Sequence, residues 1–324
     1  MLLTSSLGII AGFALLVWSA DRFVLGASSL ARNLGVSPLV IGLTIVGFGT
    51  SAPEMLVSAI AAWQGSPEIA VGNAIGSNIA NVGLVIGVTA ILSPIDVKSA
   101  TLRREFPVLF AVIGLTLFMM IDLRLDRLDS VILLGGMIAM VIWIVFLGLR
   151  SRIDPLSSEF DHEIPKHKSM TWSVMWLLIG LLLLLASSKI VVWGATSIAQ
   201  YFGVSDLVIG LTIIAIGTSL PELAASVMCA LRNEDDMAIG NVVGSNMFNL
   251  LGVMGLPGLI KPFSFHESAL TRDYAVMFVF CVALFVMSYG FKRPGRINRL
   301  EGGVLLSGFI AYMIVLYFTA TGAA

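Results

Sequence analysis

Apolar residues fall into ten long runs along the 324-residue chain, at approximately 3–31, 37–62, 70–92, 106–121, 128–149, 172–199, 205–230, 238–260, 274–290 and 302–320. A helix needs roughly 20 mostly apolar residues to cross a bilayer. Stretches such as Gly180 to Leu185 are apolar on every face, as in a helix surrounded by lipid or buried in a bundle. The period-2 alternation of a membrane β-barrel is absent. The pattern therefore predicts an all-α polytopic membrane protein with ten transmembrane helices. The first and sixth runs exceed one span and should be tilted or broken.

Composition agrees. Hydrophobic residues make up 57% of the chain and charged residues 12%, and mean hydropathy is +0.97. A soluble domain carries about 25% charged residues. The lipid bilayer is the main solvent. Net charge is −1 and points to no nucleic-acid partner. With the N-terminus outside, the loops on the inner side hold Arg32, Lys98, Arg103, Arg104, Arg150, Arg152, Lys166, Lys168, Arg232, Lys292, Arg293, Arg296 and Arg299. The outer loops hold only Arg124, Arg127, Lys261 and Arg272. The positive-inside rule then puts both termini outside the cytoplasm, in a bacterial or archaeal-type plasma (inner) membrane. The first run lacks a basic leader and a clear cleavage site, so it reads as a retained helix. Cys229 and Cys281 lie in apolar runs and read as packing residues.

Self-similarity organises the chain further. Residues 36–60 read VSPLVIGLTIVGFGTSAPEMLVSAI and residues 204–228 read VSDLVIGLTIIAIGTSLPELAASVM. Gly72, Asn73, Gly76, Ser77, Asn78 and Asn81 return 168 positions later as Gly240, Asn241, Gly244, Ser245, Asn246 and Asn249. The period is far too long for a solenoid repeat. It describes two five-helix halves, 1–149 and 172–324, with repeat motifs at 36–88 and 204–256. A polar cytoplasmic linker, 150–171, joins them. Its His162 and His167 read as part of an ordinary hydrophilic connector. Because five is odd, the second half enters the membrane from the opposite side. This is the inverted-repeat plan of many secondary transporters, with the ion site at the midplane.

Nearly all acids fall in or near loops, but Glu54 and Glu222 lie deep in the second and seventh runs, at equivalent repeat positions. An acid at a helix centre costs roughly 2.5–3.5 kcal/mol on insertion scales. Neither run holds a basic partner, so the pair calls for a cation or protons. Asp21 and Lys189 are also equivalent within spans; they either pair or reach an interface, and both read as structural.

The surroundings of the glutamates are oxygen-rich. Thr50 and Thr218 precede them by four residues and share their helix face. Ser51 and Ser219 add hydroxyls. Pro53 and Pro221 should kink their helices and free backbone carbonyls of the preceding turn. Gly47 and Ala215 are small enough to bare a carbonyl. Ser77 with Asn81, and Ser245 with Asn249, form i, i+4 pairs on the third and eighth runs. Gly72, Gly76, Gly240 and Gly244 should let helices approach closely. Calcium takes 6–8 oxygen ligands in flexible geometry, and sodium can use subsets of the same oxygens. The absence of His or Cys ligands argues against zinc, copper or iron. Asn73, Asn241, Asn78 and Asn246, with Ser58 and Ser226, read as interhelical glue.

GTSAPE at 49–54, GTSLPE at 217–222, GSNIAN at 76–81 and GSNMFN at 244–249 resemble the paired repeats of the cation/calcium exchanger superfamily, in its bacterial sodium/calcium antiporter branch of YrbG-like proteins. The resemblance spans nearly the whole chain. It implies an ion core of helices 2, 3, 7 and 8, with helices 1 and 6 sliding across it. It also implies a ligand set of Thr50, Ser51, Glu54, Ser77, Asn81, Thr218, Ser219, Glu222, Ser245 and Asn249, with carbonyls from Gly47 and Ala215. Potassium-dependent relatives carry Asp where this chain has Asn249, which argues against potassium co-transport. The expected activity is exchange of Ca²⁺ for Na⁺ by alternating access, three Na⁺ per Ca²⁺ by resemblance. Ca²⁺/H⁺ exchange through the same carboxylates is the alternative. Repulsion between the two carboxylates should let protons compete with calcium at low pH and disfavour crossing of the empty site. No cofactor is expected, and no enzyme: the GTS-x-PE serines have no His or Lys base in their helices. No nucleotide-binding loop is present, and no sequence feature sets an oligomeric state.

Overall fold

The computed structural model of the protein describes residues 2–97, 99–150, 168–203, 213, 215–289 and 295–321. Helices dominate it: α1 (Leu2–Leu34), α2 (Pro38–Trp63), α3 (Ile69–Leu92), α4 (Ser99–Met120), α5 (Arg127–Arg150), α6 (Met170–Tyr201), α7 (Leu220–Leu231), α8 (Asp235–Ile260), α9 (Ala269–Ser288) and α10 (Arg299–Thr321). A four-residue turn of helix, Ala215–Thr218, precedes α7. Among the described residues, eight helices are long and apolar enough to cross a membrane; α4 and α7 are not among them. Residues 204–212 and 214 of the expected seventh span, and 151–167 of the expected linker with His162 and His167, lie outside the described residues.

Exposed apolar side chains cover the outside of the bundle, among them Leu3, Trp63, Phe118 and Leu182. In water this surface would aggregate; in lipid it is solvated. The protein is a multi-pass membrane protein. α2, α3 and α8 are mostly buried, whereas α1, α5, α6, α9 and α10 face outward along most of their length.

α1 and α6 run unbroken for 33 and 32 residues. At 1.5 Å per residue each is about 50 Å long, against about 30 Å of hydrocarbon, so the pair tilts or protrudes. The two helices pack against each other through glycines. Gly180 sits so close to Phe23 that a Cβ would lie 2.6 Å from its backbone nitrogen, and Gly12 meets Val191 in the same way. Gly26 meets Leu177, and Gly194 meets Ile9. Each contact has its counterpart 168 positions away with the helices exchanged.

α8 crosses α2 backbone to backbone. A Cβ on Gly244 would lie 2.5 Å from the Leu43 carbonyl oxygen, and one on Gly240 would lie 2.8 Å from that of Leu39. This is the close approach expected of those glycines. Their counterparts Gly72 and Gly76 meet no described atom within 4 Å; residues 207–211, which the repeat would put opposite them, lie outside the described residues.

Two short antiparallel ribbons tie the loops. β1 (Ile95–Val97) pairs with β4 (Gly295–Ile297), and β2 (Arg124–Leu125) pairs with β3 (Phe263–Ser264). They lie at opposite ends of α4 and of α9, because each helix runs from one ribbon to the other.

Two local expectations need correction. Pro53 does lie inside α2, but the second half breaks at Ser219, leaving Pro221 in the first turn of α7. Proline is tolerated there because its missing N–H would have no helical partner. Asp21 pairs not with Lys189 but with Arg232, at the end of α7, whose Nε donates at 2.9 Å. Cys229 and Cys281 are buried free thiols.

Candidate cation site

α2, α3, α7 and α8 bring the two repeat motifs together. Glu54 and Glu222 are each 2% exposed. Thr50, Ser51, Asn81, Ser219, Ser245 and Asn249 are buried, as is Ser77; Thr218 is half-buried. Ala215 lies in the helical turn before α7, with its side chain outside the described set.

The hydroxyls and amides knit the halves. Thr50 Oγ1 lies 3.3 Å from Ser245 Oγ and donates to Asn241 Oδ1 at 3.3 Å. It also lies 3.1 Å from the Val46 carbonyl and 3.4 Å from that of Gly47. Ser245 Oγ donates to the Gly47 carbonyl at 3.3 Å. The small residue at 47 makes this possible: its carbonyl sits directly against α8, where a Cβ on Gly47 would lie 3.0 Å from the Ser245 nitrogen.

Asn73 and Asn241 brace the glutamate-bearing helices in the same manner. Asn73 Nδ2 donates to Ser58 Oγ at 3.0 Å and to the Glu54 carbonyl at 3.2 Å. Asn241 Nδ2 donates to Ser226 Oγ at 2.9 Å and to the Glu222 carbonyl at 3.4 Å. Asn241 goes beyond bracing, since its oxygen also accepts from Thr50; the residue pattern alone did not indicate this.

Sequence reasoning also missed the backbone at Asn81 and Asn249. Asn81 and Asn249 each open a stretch of π-helix, Asn81–Ile86 and Asn249–Val253. A widened turn of this kind interrupts the regular ladder and is frequent at functional sites. Its repetition at equivalent positions ties it to the site.

Six buried oxygens here have no hydrogen-bond partner among the described residues: Glu54 Oε2, Glu222 Oε2, Asn81 Oδ1, Asn249 Oδ1, Ser51 Oγ and Ser219 Oγ. Buried polar groups are normally paired, and a buried carboxylate without a partner is costly. All six are oxygens, two belong to carboxylates, and they come from equivalent positions of the two halves. The described residues hold no group of three or more His, Cys, Asp or Glu that would suit a transition metal. An all-oxygen set of this kind has the ligand chemistry that hard cations take.

A model of the sodium/calcium exchanger protein family matches residues 4–151 and 172–318. The chain belongs to this family. Relatives include CaxA of Alkalimonas amylolytica, 50% identical across 98% of this chain and 99% of that protein. YrbG, an inner membrane protein of Escherichia coli, is 39% identical over 98% of each. Among solved structures, the sodium-calcium exchanger NCX_Mj, soaked with zero Na⁺ and Ca²⁺, superposes with a TM-score of 0.82. It is 34% identical, and the match covers 98% of this chain and all of that one. The chain is thus a member of the cation/calcium exchangers, in the bacterial branch.

Proposed function

We propose that this family member is a secondary active antiporter that moves Ca²⁺ against Na⁺ by alternating access. Its ligands are Glu54 and Glu222 with Thr50, Ser51, Ser77, Asn81, Thr218, Ser219, Ser245 and Asn249, joined by the carbonyls of Gly47 and Ala215. The observation that carries the reading is the set of six buried, unpartnered oxygens around two carboxylates. One Ca²⁺ balances both carboxylates, and several Na⁺ occupy subsets of the same oxygens. Three Na⁺ per Ca²⁺ would move one net charge, coupled to the membrane potential at about 2.3 kcal/mol per 100 mV.

The architecture proposed is ten spans in two inverted five-helix halves. Supporting it, β1 and β3 occupy equivalent repeat positions yet belong to ribbons at opposite ends of α4 and α9. The reciprocal glycine contacts of α1 and α6 have the same character. The location proposed is the inner membrane, with both termini outside the cytoplasm.

Uptake of ⁴⁵Ca²⁺ into proteoliposomes, with Na⁺, K⁺ and H⁺ gradients imposed one at a time, tests the function. An outward Na⁺ gradient should drive uptake, and Glu54→Gln should abolish it. Uptake driven only by a pH gradient would replace Na⁺ with H⁺ at the same carboxylates. Unchanged uptake in Glu54→Gln would sink the site.

A further inference from the structure

We propose that Asn78 and Asn246 are positioning residues, each fixing the amide of the ligand asparagine in the opposite half so that its oxygen faces the ion. The inference rests on the cation-site reading above and names what orients two of its ligands.

Two crossed hydrogen bonds carry it. Asn249 Nδ2 donates to Asn78 Oδ1 at 3.1 Å, and Asn81 Nδ2 donates to Asn246 Oδ1 at 3.1 Å. The bonds are equivalent under the 168-residue repeat, with the halves exchanged. All four residues are at most 1% exposed, so water does not compete for these groups.

A side-chain amide can present either a donor or an acceptor. With Nδ2 engaged by the opposite asparagine, the remaining end of each ligand amide is Oδ1. Those two oxygens are among the unpartnered atoms of the site. Turning either amide over would set oxygen against oxygen at about the same separation and aim N–H groups at a cation. The opposite asparagine thus selects the orientation that can ligate. Partners of metal ligands commonly act in this way.

The two positioning residues are not equally held. Asn78 Nδ2 donates to the Asn246 carbonyl at 3.2 Å and lies 3.5 Å from Met277 Sδ. Asn246 Nδ2 has no partner among the described residues. The orientation of Asn78, and through it that of Asn249, is the better determined of the two.

Purified full-length protein is titrated with CaCl₂ in Na⁺-free buffer, and the Ca²⁺-dependent rise in its thermal midpoint yields an apparent Kd. Asn78→Ala should weaken Ca²⁺ binding about tenfold or more, within the 10–100-fold range for loss of a ligand's hydrogen-bond partner. Asn246→Ala should weaken it less. In an Asn249→Ala background, Asn78→Ala should change the apparent Kd less than about twofold, because the group it acts through is gone. An equal factor in both backgrounds would mean that Asn78 supports the fold or touches the ion itself, and the inference falls. If Asn78→Ala does not fold, Asn246→Ala in wild-type and Asn81→Ala backgrounds gives the same cycle, and an equal factor there overturns the inference in the same way. Failure of the antiport reading looks different: the wild type itself would bind no Ca²⁺.

Discussion

The Ser188 hydroxyl on α6 donates to the carbonyl of Gly217 at 2.9 Å. That carbonyl belongs to the four-residue helical turn Ala215–Thr218, which ends before the break at Ser219. The repeat makes the relationship informative, because the counterpart of Ser188 is Ala20, which has no hydroxyl. Among the described residues, the helix of the first half runs on through Ser51, whereas that of the second half breaks at Ser219. Ser188→Ala should orphan the Gly217 carbonyl at about 1–3 kcal/mol, seen as a fall of several degrees in the thermal midpoint in detergent. An unchanged midpoint would show that this hydrogen bond contributes nothing to stability.

The two halves show what could be read in advance. The burial of the paired glutamates among hydroxyls and amides, and the glycines of the α2–α8 crossing, were legible, because polarity and side-chain volume belong to residue types. The π-turns at Asn81 and Asn249 were not, because no local propensity marks them. Nor was the break at Ser219: GTSAPE and GTSLPE are nearly the same sequence, yet one continues as helix and the other stops. The difference matches a tertiary contact, the Ser188 hydroxyl, supplied from 29 residues away. The partner of Asp21 lies 211 residues away, and single-chain spacing cannot identify it.

Neutralising a ligand should trade function for stability. Without a cation, Glu54 and Glu222 are two buried carboxyl groups, each with an oxygen that has no hydrogen-bond partner among the described residues. Glu222→Gln removes one charge and keeps the shape. In Na⁺-free buffer with chelator its thermal midpoint should exceed that of the wild type, as relief of active-site strain commonly does. Calcium at 100 times Kd should stabilise the wild type by about 2.7 kcal/mol and the variant by much less. A variant that is less stable than the wild type without ions, or equally stabilised by Ca²⁺, would contradict the assignment.

The crossing of α8 and α2 leaves no room for a methyl group. Gly244→Ala puts a Cβ 2.5 Å from the Leu43 carbonyl oxygen, so the backbones must separate, moving Thr50 and Ser245 apart. Overpacking of this kind typically costs about 1–3 kcal/mol. The variant should show a lowered thermal midpoint and a weakened apparent Ca²⁺ affinity together. Gly303→Ala on α10, where nothing lies within 4 Å, should be neutral or slightly stabilising, because alanine is the better helix former.

Sidedness is open to a direct test. Arg32 pairs with Glu234 at 2.9 Å, Asp96 N bonds to Asp235 at 3.1 Å, and β1 pairs with β4. These contacts gather the α1 C-terminus, the α7–α8 turn and the loops beside β1 and β4 at one end of the bundle. The loops beside β2 and β3 lie at the other end, across the length of α4. The first end carries most of the loop arginines and lysines, so the positive-inside rule predicts a cytoplasmic location for it. The expected outcome is an active C-terminal alkaline phosphatase fusion and a dark C-terminal green fluorescent protein fusion. A cysteine at position 64 or 262 should react with a membrane-impermeant maleimide in intact cells, and one at 233 or 298 only after permeabilisation. Cys229 and Cys281 are buried and should add little background. The reverse labelling pattern would turn the whole bundle over in the membrane and leave the cation site as described.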